Sequence, residues 1–265
     1  MRNVRVLLAY DGSRFFGWQR QAGFDSVQET IERALLGLTG SSVVVHGAGR
    51  TDTGVHAFGQ VAHFHLETRL DDDRLRHALN HYLAPSISVR RLETCADDFH
   101  ARFAAVKKRY LYLTATSRFR PPFAPNLCHW TSDPLDLRAM RIAAQPLVGR
   151  HDFSAFAGTR SKRSNNVRTL RPIRFLVRRQ RLGLVVGADG FLYNMVRNIA
   201  GTLLEVGRGK MAPGEVARVL ASKDRRRAGP TAPAAGLYLL RVSYADSVFQ
   251  GPDRGPRGVP GVILS

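Results

Sequence analysis

The 265-residue sequence is poor in cysteine and contains no long apolar run. Its two cysteines, Cys95 and Cys128, lie far apart and form no CxxC pair, which argues against a disulfide framework and against a zinc knuckle. No stretch reaches the roughly 18 consecutive apolar residues of a transmembrane helix. The N-terminal segment, residues 1–10, has an apolar run that is too short for the hydrophobic region of a secretion signal. We therefore expect a cytoplasmic protein without a membrane span.

Motifs that bind nucleotides or metals are also missing. The sequence has neither Gly-x-x-x-x-Gly-Lys-Ser/Thr nor Gly-x-Gly-x-x-Gly, so nothing supports a site for a nucleoside triphosphate or a dinucleotide. Its histidines, among them His46, His56, His63 and His65, have no acidic or cysteine partner at ligand spacing. We expect no metal site.

Acidic residues are scarce in the second half of the chain. Residues 1–104 hold 12 basic and 12 acidic side chains, whereas residues 105–265 hold 28 basic and 9 acidic ones, which is the whole net charge of +19. Such a field favours a polyanionic partner, because each neutralised phosphate releases condensed counterions. An arginine-rich surface that serves solubility alone is the alternative.

The apolar fraction of 44% suits a globular protein, and its periodicity alternates between strands and helices. Residues 1–104 are predicted to have the order β-α-β-β-α-β, and residues 105–245 resemble them in outline. We expect an α+β fold of two ferredoxin-like halves, split βαβ units with mainly antiparallel sheets side by side. Residues 246–265 are rich in glycine and proline and are predicted to form a flexible tail. The predicted elements are strands at 3–10, 43–46, 60–66, 87–92, 109–115, 171–179, 182–188 and 237–244, and helices at 26–40, 71–83, 135–147, 191–206 and 213–221.

One loop, His46 to Ala57, concentrates three glycines, a guanidinium and a carboxylate between two predicted strands. Its glycines permit positive φ angles and the close approach of a ligand. Asp52, two residues after Arg50, is expected to stay ionised at neutral pH, the state that a nucleophile or general base requires. A tight turn in which Asp52 bonds only to the backbone is the alternative. Asp52-Thr53-Gly54 also matches the aspartic protease triplet, but those enzymes need two carboxylates, and the sequence has no second copy.

The basic half contains aromatic residues beside cations. Tyr110 and Tyr112 follow Lys107-Lys108-Arg109 on a predicted strand and would face the same way, so either could stack on an unpaired base or fill the core. The segment from Arg160 to Arg181 contains nine Lys or Arg residues and no acidic residue. It could bind phosphates, or it could be a run of solvated charges. Arg197 lies in the most apolar predicted helix. If Arg197 is buried it needs a partner, and Asp52 is the candidate. The alternative is that Arg197 lies on the exposed stripe of the helix.

Several longer motifs resemble the tRNA pseudouridine synthase A family, and they occur in order across residues 4–244. Thr53 departs from the alanine usual in the family, Leu111 departs from a common basic residue, and residues 246–265 have no counterpart. The matching segments are Tyr10–Gln21, Gly49–Ala57, Phe99–Phe103, Lys108–Tyr112, His151–Phe156, Phe191–Gly201 and Gly236–Leu239.

The resemblance implies a cofactor-free isomerase that converts uridine to pseudouridine at positions 38, 39 and 40 of the tRNA anticodon arm. Asp52 would be the nucleophile, and Arg50 would displace the target base or hold its place in the stack. Tyr110 would stack on the flipped uracil, and Arg197 would orient Asp52. The resemblance also implies a homodimer, with one tRNA reaching across both subunits. A non-catalytic RNA-binding protein on the same scaffold is the competing hypothesis, and a protease the more distant one.

Overall fold

The computed structural model describes residues 1–122, 125–158 and 165–249. Within the described residues the chain divides into two compact units, one formed by residues 1–106 together with residues 239–249, and the other by residues 107–238. Residues 160–164 of the predicted basic run and residues 250–265 of the predicted tail lie outside the described residues.

The first part of the chain follows the predicted β-α-β-β-α-β order. Helix α1 begins after Ser26, whose side chain accepts the backbone N–H of Glu29, and it ends at Gly40, whose φ is 70°. Helix α2 begins after Asp71, which accepts the N–H of Arg74. The elements are β1 (Arg2–Tyr10), α1 (Val27–Thr39), β2 (His46–Gly47), β3 (His56–Leu66), α2 (Asp72–Leu83) and β4 (Ile87–Cys95).

The rest of the chain contains more short strands than the periodicity predicts. Strands β6, β7 and β8 were not predicted, because runs of three or four residues carry too little alternation to be detected. The elements are β5 (Ala105–Thr116), β6 (His129–Thr131), α3 (Leu137–Ala144), β7 (Gly149–Asp152), β8 (Val167–Leu170), β9 (Arg174–Arg178), β10 (Arg181–Ala188), α4 (Met195–Gly207), α5 (Glu215–Ser222) and β11 (Leu237–Tyr244).

The sheet of the first unit has the strand order β4-β1-β3-β11. Strand β1 pairs antiparallel with both β3 and β4. Alternate residues of β1 from Val4 to Tyr10 are buried and, with Ile31 and Leu35 of α1 and Leu75 and Leu79 of α2, form the core. Strand β11, the last strand of the described residues, therefore joins the sheet that contains β1.

The second unit is organised around β5 and β10, which pair antiparallel. The order β5-β10-β8-β7 is extended by β6 on β5 and by β9 on β10. Helix α4 is almost entirely buried, and the amide of Asn198 within it donates to the Phe156 carbonyl oxygen at 2.8 Å. This helix forms the centre of the unit.

The fold is α+β with a mostly antiparallel sheet, as predicted. Two predicted elements are wrong in part. Only the end of the predicted strand at 43–46 pairs, and the Val45 N–H donates instead to the Glu32 carboxylate. The predicted helix at 191–206 begins only at Met195, because Asn194 has a φ of 58°, which is left-handed. Within the described part of the chain, no helix is long and apolar enough to cross a membrane.

Candidate active site

Asp52 lies on the loop that joins β2 to β3. Its carbonyl oxygen accepts the N–H of Val55 at 3.1 Å, which closes a turn that contains Gly54 at a φ of 76°. Asp52 is half-buried, whereas Arg50 and Thr53 on either side of it are exposed to solvent. The loop thus presents a partly shielded carboxylate and a guanidinium on one short segment.

The residue before Asp52 is clamped by the segment that follows β1. The backbone N–H of Trp18 donates to the carbonyl oxygen of Thr51 at 3.0 Å, and the hydroxyls of Thr51 and Tyr10 are 2.9 Å apart. Burial raises the pKa of Tyr10, so its phenol stays neutral. Bonds to both its backbone and its side chain therefore hold Thr51 in place.

Two glycines let this segment approach the Asp52 loop. Gly17 has a φ of 92°, and a Cβ there would lie 2.6 Å from the carbonyl oxygen of Thr51. A Cβ on Gly12 would lie 2.0 Å from the carbonyl oxygen of Val55. Both distances are too short for any side chain, so glycine is required for the packing that positions Asp52.

The far end of the loop is fixed by His56, which is buried. Its Nδ1 lies 3.0 Å from the backbone nitrogen of Gly12 and 3.2 Å from Oδ1 of Asp11. The His56 ring beside Asp11 holds the pKa of that carboxyl well below its usual range. Asp11 also accepts from the N–H and hydroxyl of Ser13, so it ties the segment after β1 to the start of β3.

Tyr110 lies on β5 opposite Val186 of β10. Its ring meets that of Phe191 edge to face, with centroids 5.1 Å apart, and only 8% of the residue is exposed. Tyr112, which the alternation places on the same face, is also buried and donates its hydroxyl to the carbonyl oxygen of Pro233 at 3.0 Å. The orientation of the Tyr110 ring is therefore set by packing within the second unit.

Arg197 lies in the first turn of α4 and is partly buried. Its Nε donates to the carbonyl oxygen of Ala232 at 2.7 Å, and one terminal nitrogen donates to Oδ1 of Asn194 at 3.1 Å. The left-handed Asn194 thus both starts the helix and holds the guanidinium. These bonds fix the direction of the side chain, and its pairing with Asp52 stays a prediction.

Comparison with known proteins identifies the family. A model described as tRNA pseudouridine synthase matches residues 7–104 and 143–245. The tRNA pseudouridine synthase A of Acetivibrio thermocellus is 44% identical over 92% of this chain and 100% of its own length. The chain belongs to the tRNA pseudouridine synthase A family. It is a tRNA pseudouridine synthase, which is an isomerase.

Other tRNA pseudouridine synthase A sequences match equally well. Those of a Thermoanaerobacter species and of Allorhizobium ampelinum are each 43% identical over 92% of this chain, and the matches cover 100% and 95% of their own lengths. A solved archaeal box H/ACA sRNP Nop10-Cbf5 complex matches at 15% identity over 68% of this chain and 39% of its own, with a TM-score of 0.33, which is too low to add to the assignment.

The matched segments of the family model include three of the four predicted site residues. Asp52, Arg50 and Arg197 lie inside its matched segments, whereas Tyr110 lies in the interval between them. Sequence reasoning assigned no role to Gly17, Trp18 or Thr51, because the clamp joins residues distant along the chain. The signal for this clamp in the sequence was the Tyr10–Gln21 motif. The family resemblance included its glycines and aromatic residues.

The histidines of this synthase cluster without the geometry of a metal site. The ring centroid of His63 lies 5.1 Å from that of His46 and 4.6 Å from that of His100. Nδ1 of His63 accepts the N–H of Ala101 at 3.2 Å, and burial lowers the pKa of His63 to about 4. Among the residues that the structure describes, no group of three or more His, Cys, Asp or Glu side chains could hold a metal ion.

Proposed function

We propose that this synthase converts uridine to pseudouridine at positions 38, 39 and 40 of the tRNA anticodon arm, with Asp52 as the reacting carboxylate and no cofactor. One observation carries the proposal. Asp52 is half-buried on a loop whose neighbouring backbone is clamped at Thr51 and Val55, so the backbone that bears the carboxylate is held in place while Arg50 and Thr53 remain accessible to a large substrate.

The reaction needs a group of this kind. The bond from uracil N1 to the ribose breaks, the base turns over, and a bond from C5 to the ribose replaces it, with loss of the C5 proton and gain of a proton at N1. No electron donor or acceptor is required. An ionised Asp52 can add to the sugar or the base, or can remove a proton from the sugar, and all three routes need its carboxylate beside the nucleoside.

The other residues supply access to the base. A uridine within a stack must be extruded, at a cost of a few kcal/mol. Arg50, two residues from Asp52, displaces the base or fills its place in the stack. Tyr110 stacks on the flipped uracil, and Arg197 pairs with Asp52 and orients it. The excess of positive charge in residues 105–265 offsets the cost of extrusion through phosphate contacts.

The test is tritium release from tRNA labelled at uracil C5. Wild type releases tritium in step with pseudouridine formation at positions 38–40, because C5 becomes bonded to the ribose. Asp52→Ala and Asp52→Asn release none and still bind tRNA. Asp73→Asn is the matched control, since Asp73 is an exposed carboxylate on α2 of the same unit and its replacement leaves release unchanged. Binding without release by wild type would favour the RNA-binding hypothesis instead.

The assembly is part of the proposal. We propose a cytoplasmic homodimer in which one tRNA reaches across both subunits, and both cysteines are free, as suits a reducing compartment. Sedimentation equilibrium distinguishes a dimer from a monomer, and a stoichiometry titration with tRNA tests whether one tRNA engages two subunits.

A further inference from the structure

Two phenylalanines form an exposed pair on the segment that clamps the Asp52 loop. Phe16 and Phe24 each expose 47% of their surface, and their ring centroids lie 4.3 Å apart at an interplanar angle of 40°. Single exposed apolar residues are ordinary, but two aromatic rings in mutual contact present a continuous apolar surface to solvent. Such a surface commonly meets a partner.

The pair is held by a well-bonded turn. Phe16 donates its N–H to the carbonyl oxygen of Asp25 at 2.9 Å, and its own carbonyl oxygen accepts from the side chain of Gln21 at 3.3 Å. The N–H of Phe24 donates to the carbonyl oxygen of Gln21, also at 3.3 Å. The two rings are therefore presented by a closed turn and lose little conformational freedom when a ligand packs on them.

Phe16 lies between two residues that touch the Asp52 loop. The carbonyl oxygen of Phe15 accepts the N–H of Gly54 at 3.3 Å. Gly17, on the other side, approaches so closely that a Cβ there would lie 3.2 Å from the carbonyl carbon of Asp52. The backbone of Phe16 is therefore one residue from each of these two contacts with the Asp52 loop.

Two arginines near the pair form ion pairs. Arg33 contacts the carboxylate of Asp25 at 2.9 Å, and Arg20 contacts that of Glu32 at 3.3 Å. Residues 1–104 carry no net charge. This part of the surface therefore offers the faces and edges of rings rather than a field for phosphate, which is the property that recognises an unpaired base.

We propose that Phe16 and Phe24 form a stacking platform for the unpaired base that neighbours a target uridine at position 38 or 39 on its anticodon-loop side. The inference rests on the proposed function, because it takes the substrate to be the anticodon arm. Stacking on the platform holds the neighbouring base while the target uridine is extruded towards Asp52. The platform thus acts in substrate binding and is separate from the residue that stacks on the flipped uracil.

The experiment combines protein variants with an altered RNA. The substrate is an anticodon-arm RNA with one C5-tritiated uridine, made with either a normal or an abasic nucleotide at the loop-side neighbour. For the normal RNA, Phe16→Ala and Phe24→Ala raise KM about tenfold, since stacking on an aromatic residue contributes about 1–3 kcal/mol per base. For the abasic RNA the same variants match wild type, because the ring has no base to hold.

Three controls make the outcome decisive. Tyr82→Ala removes an aromatic ring that is 55% exposed on α2 and leaves KM unchanged with both RNAs. Phe16→Tyr keeps the ring and restores the wild-type KM, and unchanged thermal unfolding of each variant excludes misfolding. Equal losses with normal and abasic RNA, or no loss with either, would overturn the platform. Failure of wild type to release tritium at all would instead overturn the proposed function.

Discussion

Gly17 decides how closely the segment after β1 can pack on the Asp52 loop. Its φ of 92° and the 2.6 Å between a Cβ there and the carbonyl oxygen of Thr51 exclude any side chain without movement. Gly23, with a φ of 81°, has no atom within 4 Å of a Cβ. Both glycines have a positive φ, but only Gly17 is closely packed against other atoms.

We therefore expect the two glycines to respond differently to substitution by alanine. Gly17→Ala lowers kcat at least tenfold, because Thr51 and with it Asp52 must shift, whereas Gly23→Ala costs only backbone strain of about 1–2 kcal/mol and keeps its kcat. Tritium release under saturating tRNA measures the effect, and urea unfolding separates it from stability. Equal kcat values for the two variants would contradict the role given to the close approach.

His63 supplies a pH dependence of stability. Its pKa is about 4 in the folded protein and about 6.5 in the unfolded chain, so the unfolded state binds more protons between these values. The free energy of unfolding therefore falls as the pH drops from about 6.5 to 4, by up to about 3 kcal/mol, and this contribution levels off below pH 4. His63→Gln removes that part of the slope, while the exposed neighbour His65→Gln keeps it; urea titrations across this pH range measure both.

At the scale of elements, most helix ends could be predicted and several strands could not. The capping residue Ser26 and the terminal Gly40 bracket α1 in the sequence as they do in the structure. Strands β7 and β8 are too short for alternation, and the left-handed Asn194 that delays α4 follows an apolar run typical of helix. The Asp52 loop stood out through its composition, but the Gly17–Thr51 approach depends on tertiary packing that periodicity does not encode.

Helix α4 is held near its start by one buried amide. The carbonyl oxygen of the Asn198 side chain accepts from Arg225 at 3.0 Å and from the Thr231 hydroxyl at 2.6 Å, while its nitrogen donates to Phe156. We predict that Asn198→Ala lowers the free energy of unfolding by about 3 kcal/mol, since it leaves several buried groups without partners. Arg218→Ala on the exposed side of α5 changes it by less than about 1 kcal/mol. Urea denaturation compares the two, and similar losses would contradict the central role of Asn198.

At the scale of the whole molecule, charge is divided between a neutral first half and a second half that carries +19. We predict that replacing Arg171, Arg174 and Arg179 by glutamine weakens tRNA binding and flattens the plot of log K against log salt by about one unit for each phosphate that is no longer neutralised. All three lie in the acid-free run and are exposed. The same change at the exposed arginines Arg33, Arg69 and Arg74 of the first half leaves the slope unchanged; an equal effect would show that the partition of charge is unimportant for binding.

The contribution of the last strand to the first unit affects how the protein matures during synthesis. Strand β11 lies beside β3, and Tyr244 donates its hydroxyl to the carbonyl oxygen of Ala101 at 2.8 Å. Domains generally fold from the N-terminus as the chain leaves the ribosome. Here the unit that carries Asp52 must wait until residues 237–244 have been synthesised, so β3 keeps an open edge until then. A nascent chain stalled before β11 therefore holds every residue of the Asp52 loop and is still an incomplete enzyme.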